Sequence, residues 1–309
     1  LAHARTNLLG NGAQSLPVLA LARDSVFTGP DQTNNDFTGF TAQGTWHAGR
    51  TWSVAGTLFV REGDTRSYNG DGSIFESCEA DPALLCEPDG APVLDQHGQP
   101  IGSQYDAIIN DGLRQQLSRG GNLQAILKAP LAGHENQLVA GVDYYHGRVA
   151  YHSTLQATVL DVFPSASGLS HVARGTSGEF VPADALSTFI TSANSGLFLT
   201  DTWSVTKDLA LTASLRFNHT HVHIEDRSGL NPDLDGDHAF ERLNPSLGLA
   251  WSLTPSINLY AGYSESTRAP TPVELTCASP EAPCKLPNDF VADPPLKQVM
   301  ARNLDRDAP

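Results

Sequence analysis

The chain has 309 residues and carries 19 Lys plus Arg against 34 Asp plus Glu, a formal net charge of −15. Without a basic face to neutralise phosphates, neither a nucleic-acid binder nor a polybasic membrane-surface module is expected. No apolar run approaches the roughly 18 to 20 residues of a membrane-spanning helix. The start, Leu1-Ala2-His3-Ala4-Arg5, lacks the basic and then apolar pattern of a signal peptide. It is not Met either, so the chain reads as a processed product or a piece of something longer. Charged residues are only 17%, below the usual ~25%, and Ser, Thr, Asn, Gln and Gly fill the remainder. That composition suits half-buried strands and polar loops better than helices.

Alternation with period two marks a strand that separates two environments, and it recurs along the chain. From Thr38 to His47, Phe40, Ala42, Gly44 and Trp46 oppose Thr41, Gln43, Thr45 and His47. After Ala48-Gly49-Arg50-Thr51, Trp52, Val54, Gly56, Leu58 and Val60 share one face, completing a hairpin. Gly121, Leu123, Ala125, Leu127 and Ala129 begin a second hairpin that returns through Gln137 to Tyr151. Leu197 to Val205 leads through Thr206-Lys207-Asp208 into Leu209, Leu211, Ala213, Leu215 and Phe217, opposed by Thr212, Ser214, Arg216 and Asn218. Pro245, Leu247, Leu249, Trp251 and Leu253 turn at Thr254-Pro255-Ser256 into Leu259, Ala261 and Tyr263. These are about eight strands, each near the ~10 residues that cross an outer membrane at a tilt.

Links within the hairpins are short, whereas those between them, such as Glu62 to Asp111, are long. Short turns alternating with long loops are the topology of an outer-membrane barrel. Trp46, Trp52, Trp203, Trp251, Tyr260 and Tyr263 sit near strand ends, where an interfacial girdle would place them. A soluble sandwich or up-and-down barrel also alternates. Its wet faces, however, usually carry Lys and Glu rather than the Ser, Thr, Asn, Gln and Gly found here.

The stretch FERLNPSLGLAWSLTPSINLYAGYSESTRAPTPVEL, followed by TCASPEAPCKLPNDFVADPPL, closely resembles the barrel of TonB-dependent outer-membrane receptors. FLTDTW at Phe198 to Trp203, the following LALTASLRFNHT, and Asp31 to Asp36 are similar to that family too. The resemblance covers about residues 20 to 298. It implies a 22-stranded barrel closed by an N-terminal plug, which moves iron–siderophore complexes, cobalamin, haem, metals or sugars with energy from the TonB complex. No plug-length segment precedes Leu16, so a TonB contact is expected only through a plug absent from this chain. Residues 1–298 are therefore expected to form part of the barrel, and 299–309 a charged tail that is not a strand.

Four cysteines stand as two close pairs. Cys78 and Cys86 fall in an acidic loop and Cys277 and Cys284 in a Pro-rich one. Two local disulfides of an oxidising compartment are expected; zinc is the rival, but neither spacing is Cys-x2-Cys and no His pair stands beside them. Glu62 to Asp111 holds eleven acidic residues and one basic, Arg66, a net −10. That charge either captures a cationic ligand or simply solvates a loop. Asn231-Pro232-Asp233-Leu234-Asp235-Gly236 imitates the start of a calcium loop, but its twelfth position is Arg242, with Glu241 one place early. His219, His221 and His223 share a strand face, as metal ligands or as surface residues. By the resemblance, Arg268 and Glu274 lie at the outer rim, where they contact plug or ligand or anchor a loop as an ion pair.

Ser204-Val205-Thr206-Lys207 matches Ser-x-x-Lys only at a strand-to-turn junction, and the other common enzyme motifs are missing. The expectation is an all-β, antiparallel up-and-down meander, a partial segment of a 22-stranded transmembrane β-barrel, with no catalytic residue, metal site or cofactor. Its function would be receptor-mediated uptake of an iron–siderophore or other metal complex in the outer membrane, with outer-membrane lipid around it. The alternatives are a soluble β-rich ligand- or carbohydrate-binding protein and a passive porin-like barrel.

Overall fold

The computed structural model describes residues 1–10, 16–23, 25, 28–162, 171–173, 178–230, 232–271, 274–275 and 296–307. In chain order the strands are β1 (Ala2–Leu9), β2 (Asp31–Ala48), β3 (Trp52–Gly72), β4 (Glu76–Ser77), β5 (Leu85–Cys86), β6 (Ala107–Lys128), β7 (Asn136–Thr158), β8 (Leu160–Val162), β9 (His171–Ala173), β10 (Glu179–Ser204), β11 (Leu209–Asp226), β12 (Gly236–Thr254), β13 (Ile257–Arg268) and β14 (Val299–Asp307). A short helix, α1 (Leu16–Leu21), and a 3-10 turn at Pro232–Leu234 complete the elements. One antiparallel sheet of 10 strands runs in the order β1-β2-β3-β6-β7-β10-β11-β12-β13-β14. The chain is all-β and meanders, as the alternation requires. The sheet is open.

All eight alternating runs are strands of this sheet, and β1 and β14 extend it at either side. Residues 299–309 were expected to be a non-strand tail, and here the structure differs: Val299–Asp307 pairs with β13 from Arg268↔Val299 to Tyr260↔Asp307. The charges that mask this strand in the sequence are partly matched across it, with Arg302 Nε 3.3 Å from a Glu265 carboxylate oxygen. The central strands are also longer than ten residues: β3 has 21, β6 has 22, β7 has 23 and β10 has 26. Beyond the apolar stretch both faces become polar, as in Glu62-Gly63-Asp64-Thr65-Arg66. The hydropathy signal stops there while the hydrogen-bond ladder continues.

Short links (49–51, 129–135, 205–208 and 255–256) close one end of the sheet, and long links (10–30, 73–106, 159–178, 227–235 and 269–298) the other. Gly49 turns with φ 80°, and the link before β7 places Ala132 and Gly133 at φ 52° and 84°. Two successive residues at positive φ match the strands' right-handed twist, as in a type I′ turn.

Register places the apolar residues of neighbouring strands on one common face. Gly44, Gly56, Leu123, Val142, Leu197, Phe217 and Leu243 form one continuous row. Among the described residues nothing covers this face: Trp46 is 67%, Leu58 67% and Leu247 62% exposed. The apolar sides therefore do not stack into a dry centre. All four Trp residues, Trp46, Trp52, Trp203 and Trp251, lie on this face near the short-turn end. Tyr144 and Tyr263 share that face at its upper edge. Tyr260, expected beside them in the girdle, belongs to the opposite parity and pairs with Ala250.

The apolar band runs obliquely across the rows. Its uppermost residue is Val60 on β3 and Tyr263 on β13. The row through Tyr263, by way of Leu247, Ala213, Asp201, Leu138 and Leu127, meets β3 at Trp52. The band thus drifts by about 8 residues over about 6 strand-to-strand steps; at about 3.3 Å per residue and about 4.8 Å per step, the tilt is about 40°. Strands of transmembrane barrels tilt by roughly 35–45°.

Buried side chains gather instead at the long-loop end. Phe75, Leu85, Val93 and Ile101 of the 73–106 link pack on Ile108, Leu155, Ala157 and Val181, on the polar-face parity. Cys78 and Cys86 are joined by a disulfide, with Cα atoms 5.0 Å apart, beside the β4–β5 pair. Replacing both by Ser is expected to destabilise this loop by roughly 2 kcal/mol. Faster proteolytic nicking within 73–106, with the sheet's circular dichroism unchanged, is the readout. Cys277 and Cys284 lie outside the described residues.

Candidate functional site: the polar face and the loop rim

The other parity carries small polar residues and is interrupted by two groups that pair an arginine with aromatics. In the first, Arg216 on β11 meets Asp143 on β7 at 2.8 Å and donates from Nε to Asn218 Oδ1 at 2.6 Å. Its guanidinium lies 5.8 Å from the centroid of Phe198. Arg216 can cross β10 to Asp143 because the intervening residue is Gly196, where a Cβ would strike the guanidinium and the carboxylate. Phe198 in turn lies over Gly141, its partner on β7. In the second group, Arg61 sits 4.7 Å above Phe59, whose ring is 6.2 Å from Tyr145. The Tyr145 hydroxyl is 3.2 Å from Ser118 Oγ, and Phe59 lies over Gly120. Glycines thus let large side chains lie flat along the wall. These groups were missed in the sequence; the available signal was an aromatic on the polar parity with glycine in a nearby strand.

The rim pair is brought together. Arg268, the last residue of β13, holds both Glu274 carboxylate oxygens, Nη1 to Oε2 at 2.7 Å and Nη2 to Oε1 at 2.8 Å. Thr271 donates its backbone N–H at 2.6 Å and its hydroxyl at 2.9 Å to the same carboxylate, while the Glu274 N–H donates back to Thr271 Oγ1 at 3.3 Å. Thr271 and Glu274 thus make the reciprocal bonds of a capping box, and the Thr-x-x-Glu spacing is legible in the sequence. Leu275, one residue on, packs against the cluster of Ile190, Val222 and Ile224 on the polar-face parity, as does Val149. The pair therefore anchors a loop turned over that face.

The Arg268 guanidinium, aided by the Thr271 hydrogen bonds, lowers the Glu274 carboxyl from 4.5 to about 2. A depressed folded pKa stabilises above the unfolded value and loses that contribution as pH falls from 4.5 towards about 2. Both side chains are over a third exposed, so solvent screening keeps the effect under about 1 kcal/mol. The Thr271 amide resonance, followed by NMR, is expected to move across that window and to lose the titration in Arg268→Ala.

The remaining candidates fall differently. Glu62 to Asp111 is not one loop, because β3 runs to Gly72 and β6 starts at Ala107. Asp111 is held by Arg66 at 2.7 Å, and the link itself keeps Glu76, Glu79, Asp81, Glu87, Asp89, Asp95 and Asp106. Two backbone N–H groups, of Gln99 and His97, stabilise the Asp95 carboxylate and lower its pKa. Of the calcium-like stretch, Asn231 lies outside the described residues, Pro232–Leu234 is a 3-10 turn and β12 is already extended from Gly236. His219 meets Glu241 at 2.9 Å, His221 meets Asp237 at 2.6 Å, and His223 lies 3.5 Å from Asp237. Among the described residues no group of three or more His, Cys, Asp or Glu side chains is arranged to hold a metal ion.

Two unlike faces, a tilt near 40° and alternating short and long links define a class, the up-and-down sheets that make transmembrane barrel walls. The sequence matches the family model described as TonB dependent receptor-like, beta-barrel, over residues 4–305, and the chain belongs to that family. No curated protein matches it. Among solved structures it is similar to the unliganded ferric citrate transporter FecA, with a TM-score of 0.60 and 13% identity over 86% of this chain and 33% of that one. The ferric-catecholate import receptor Fiu of E. coli K12 gives 0.56 and 11%, over 87% of this chain and 40% of that one. BauA, the ferric preacinetobactin receptor of Acinetobacter baumannii, gives 0.53 and 14%, over 89% and 35%. The chain thus spans between a third and two fifths of those proteins' length, and at these identities the likeness shows the fold alone.

Proposed function

We propose that this chain is a section of the wall of an outer-membrane TonB-dependent receptor that takes up a small metal chelate, a ferric siderophore first among them. The observation that carries the reading is the uncovered apolar band at membrane tilt, backed by a polar face. The apolar face meets lipid. The polar face lines the water-filled passage, where Arg216 and Arg61, each over an aromatic ring, offer donors and flat surfaces to an anionic chelate. The rim loop anchored by Arg268 and Glu274 and the disulfide loop stand over the mouth of that passage. Contact with TonB runs through a plug, not through this wall, and the ligand passes unchanged, without catalysis. FecA, Fiu and BauA are a ferric citrate transporter, a ferric-catecholate import receptor and a ferric preacinetobactin receptor, which makes iron the first cargo to test.

Deleting the coding segment in the source organism and supplying single ferric chelates under iron limitation tests this. Loss of growth on one class of chelate, restored by the segment in its native reading frame, is expected. Unchanged growth and unchanged radioactive iron uptake on every chelate would contradict the ferric cargo.

A further inference from the structure

Uptake through the passage makes no use of the three imidazoles on β11. They continue the apolar-face parity but stand clear of the apolar band, which ends on this strand at Phe217. His221 and His223 lie about 13 and 20 Å further along the strand, at about 3.3 Å per residue. Both are half-exposed.

Their pairing is uneven. His219 has a carboxylate of its own, Glu241, whereas His221 and His223 share one. The Asp237 oxygens lie 2.6 Å from His221 Nε2 and 3.5 Å from His223 Nδ1. Register is the reason: Asp237 pairs with His223 and stands diagonal to His221, whose own partner is Ala239. The other neighbours are small. Ala193 and Ala239 flank His221 and Thr191 flanks His223, so both rings have room to turn. The Asp237 carboxyl is held below its ordinary value, first by the His221 hydrogen bond, and is ionised at neutral pH.

Imidazole suits zinc, copper and nickel, and a neutral imidazole beside an ionised carboxylate is in the state that binds them. In the structure these groups are hydrogen-bonded to one another, and among the described residues no three are arranged about an ion. The rearrangement an ion requires is small. Ligands held tetrahedrally at 2.0–2.1 Å stand about 3.3 Å apart. The His223–Asp237 separation of 3.5 Å is near that value, and the His221–Asp237 separation of 2.6 Å has to open by about 0.7 Å. The two imidazoles then form the chelate, and the displaced carboxylate supplies the charge.

We infer that His221, His223 and Asp237 bind one divalent transition ion of the zinc or copper class on the outer face, tying β11 to β12. The site lies apart from the passage and does not depend on what the passage carries. On the inner face of the same stretch, Val222 and Ile224 help seat Leu275 of the rim loop. The ion therefore stiffens the strand pair behind that seat.

The test uses the 309-residue chain in detergent micelles, with strand content followed by circular dichroism and zinc chloride or copper sulfate added alone. Calorimetric titration is expected to show zinc binding that weakens at least about tenfold in His221→Ala and in His223→Ala, since losing even an outer-shell partner costs roughly 10–100-fold. His219→Ala keeps the affinity. Electron paramagnetic resonance of the copper-loaded chain shows two coupled nitrogens, and one in His223→Ala. Unchanged zinc affinity in the His221→Ala/His223→Ala double variant overturns the site. An equal loss in His219→Ala overturns it too, because the metal then reads a diffuse row of histidines. Affinity unchanged in concentrated urea overturns the strand-pair geometry, since β12 then supplies nothing.

Discussion

Leu199→Arg is expected to destabilise the chain in a bilayer by about 2–4 kcal/mol, the cost of an arginine near the midplane of a barrel's lipid face. Leu199 lies in the centre of the band, between Ala140 on β7 and Leu215 on β11, and is 49% exposed within the chain. Its neighbour Thr200 points to the other face, where its hydroxyl lies 2.8 Å from Ser214 Oγ. Thr200→Arg loses that hydrogen bond but keeps its charge in water, so its cost stays within about 1 kcal/mol. Urea titration of both variants in lipid vesicles checks the contrast. In a disordered chain the two substitutions would have the same effect, and in a soluble sandwich with a dry apolar centre Thr200→Arg would also be harmless. The two are separated by Leu199→Phe, which a lipid face accepts and a packed core resists by roughly 1–3 kcal/mol.

Gly120→Leu is the second large effect. A Cβ at Gly120 would collide with the backbone carbonyl of Tyr144, lie 2.9 Å from the Phe59 ring and come within 3.1 Å of Tyr145 Cα. A carbonyl in a sheet ladder cannot swing away without breaking its pair, so β6 and β7 must separate locally. A loss of about 2–3 kcal/mol is expected, at the upper end of overpacking costs. Gly44 provides the contrast, with nothing within 4 Å of an added Cβ. Gly44→Ala is expected to be neutral or stabilising by up to about 1 kcal/mol, since alanine has less backbone entropy to lose. The same vesicle titration reads both.

These contrasts also show where the sequence is legible. Hairpins such as Thr38 to Val60 could be read directly, because lipid-facing and water-facing residues alternate strictly only where one side meets hydrocarbon. Above Val60 that contrast vanishes, so the true extent of β3 and β6 was hidden and about a third of an expected acidic loop proved to be strand of the main sheet. β14 escaped for a related reason: Asn303-Leu304-Asp305-Arg306-Asp307 keeps its parity but not its hydropathy. Pairings that depend on register were out of reach altogether. Nothing in a single strand shows that Phe198 will lie over Gly141, or that Arg119 will face His146. Pro245 is the reverse case. Pairing of β12 with β13 ends at Ser246↔Ser264, next to the residue without an N–H. Beyond it Arg242 meets Glu265 at 2.9 Å and Asn244 donates to Thr267 at 3.2 Å. The proline was visible, but the polar cluster beside it was not.

Single spin labels placed in turn from Leu209 to Phe217, with the native cysteines replaced by serine and the chain in lipid bilayers, probe the assignment of the two faces most directly. Collision rates with oxygen, which concentrates in hydrocarbon, and with a water-soluble nickel chelate should alternate, oxygen dominating at Leu211, Ala213 and Leu215 and nickel at Thr212, Ser214 and Arg216. Labels at the odd positions shielded from both reagents, or no alternation at all, would mean that the greasy side of this sheet does not face lipid.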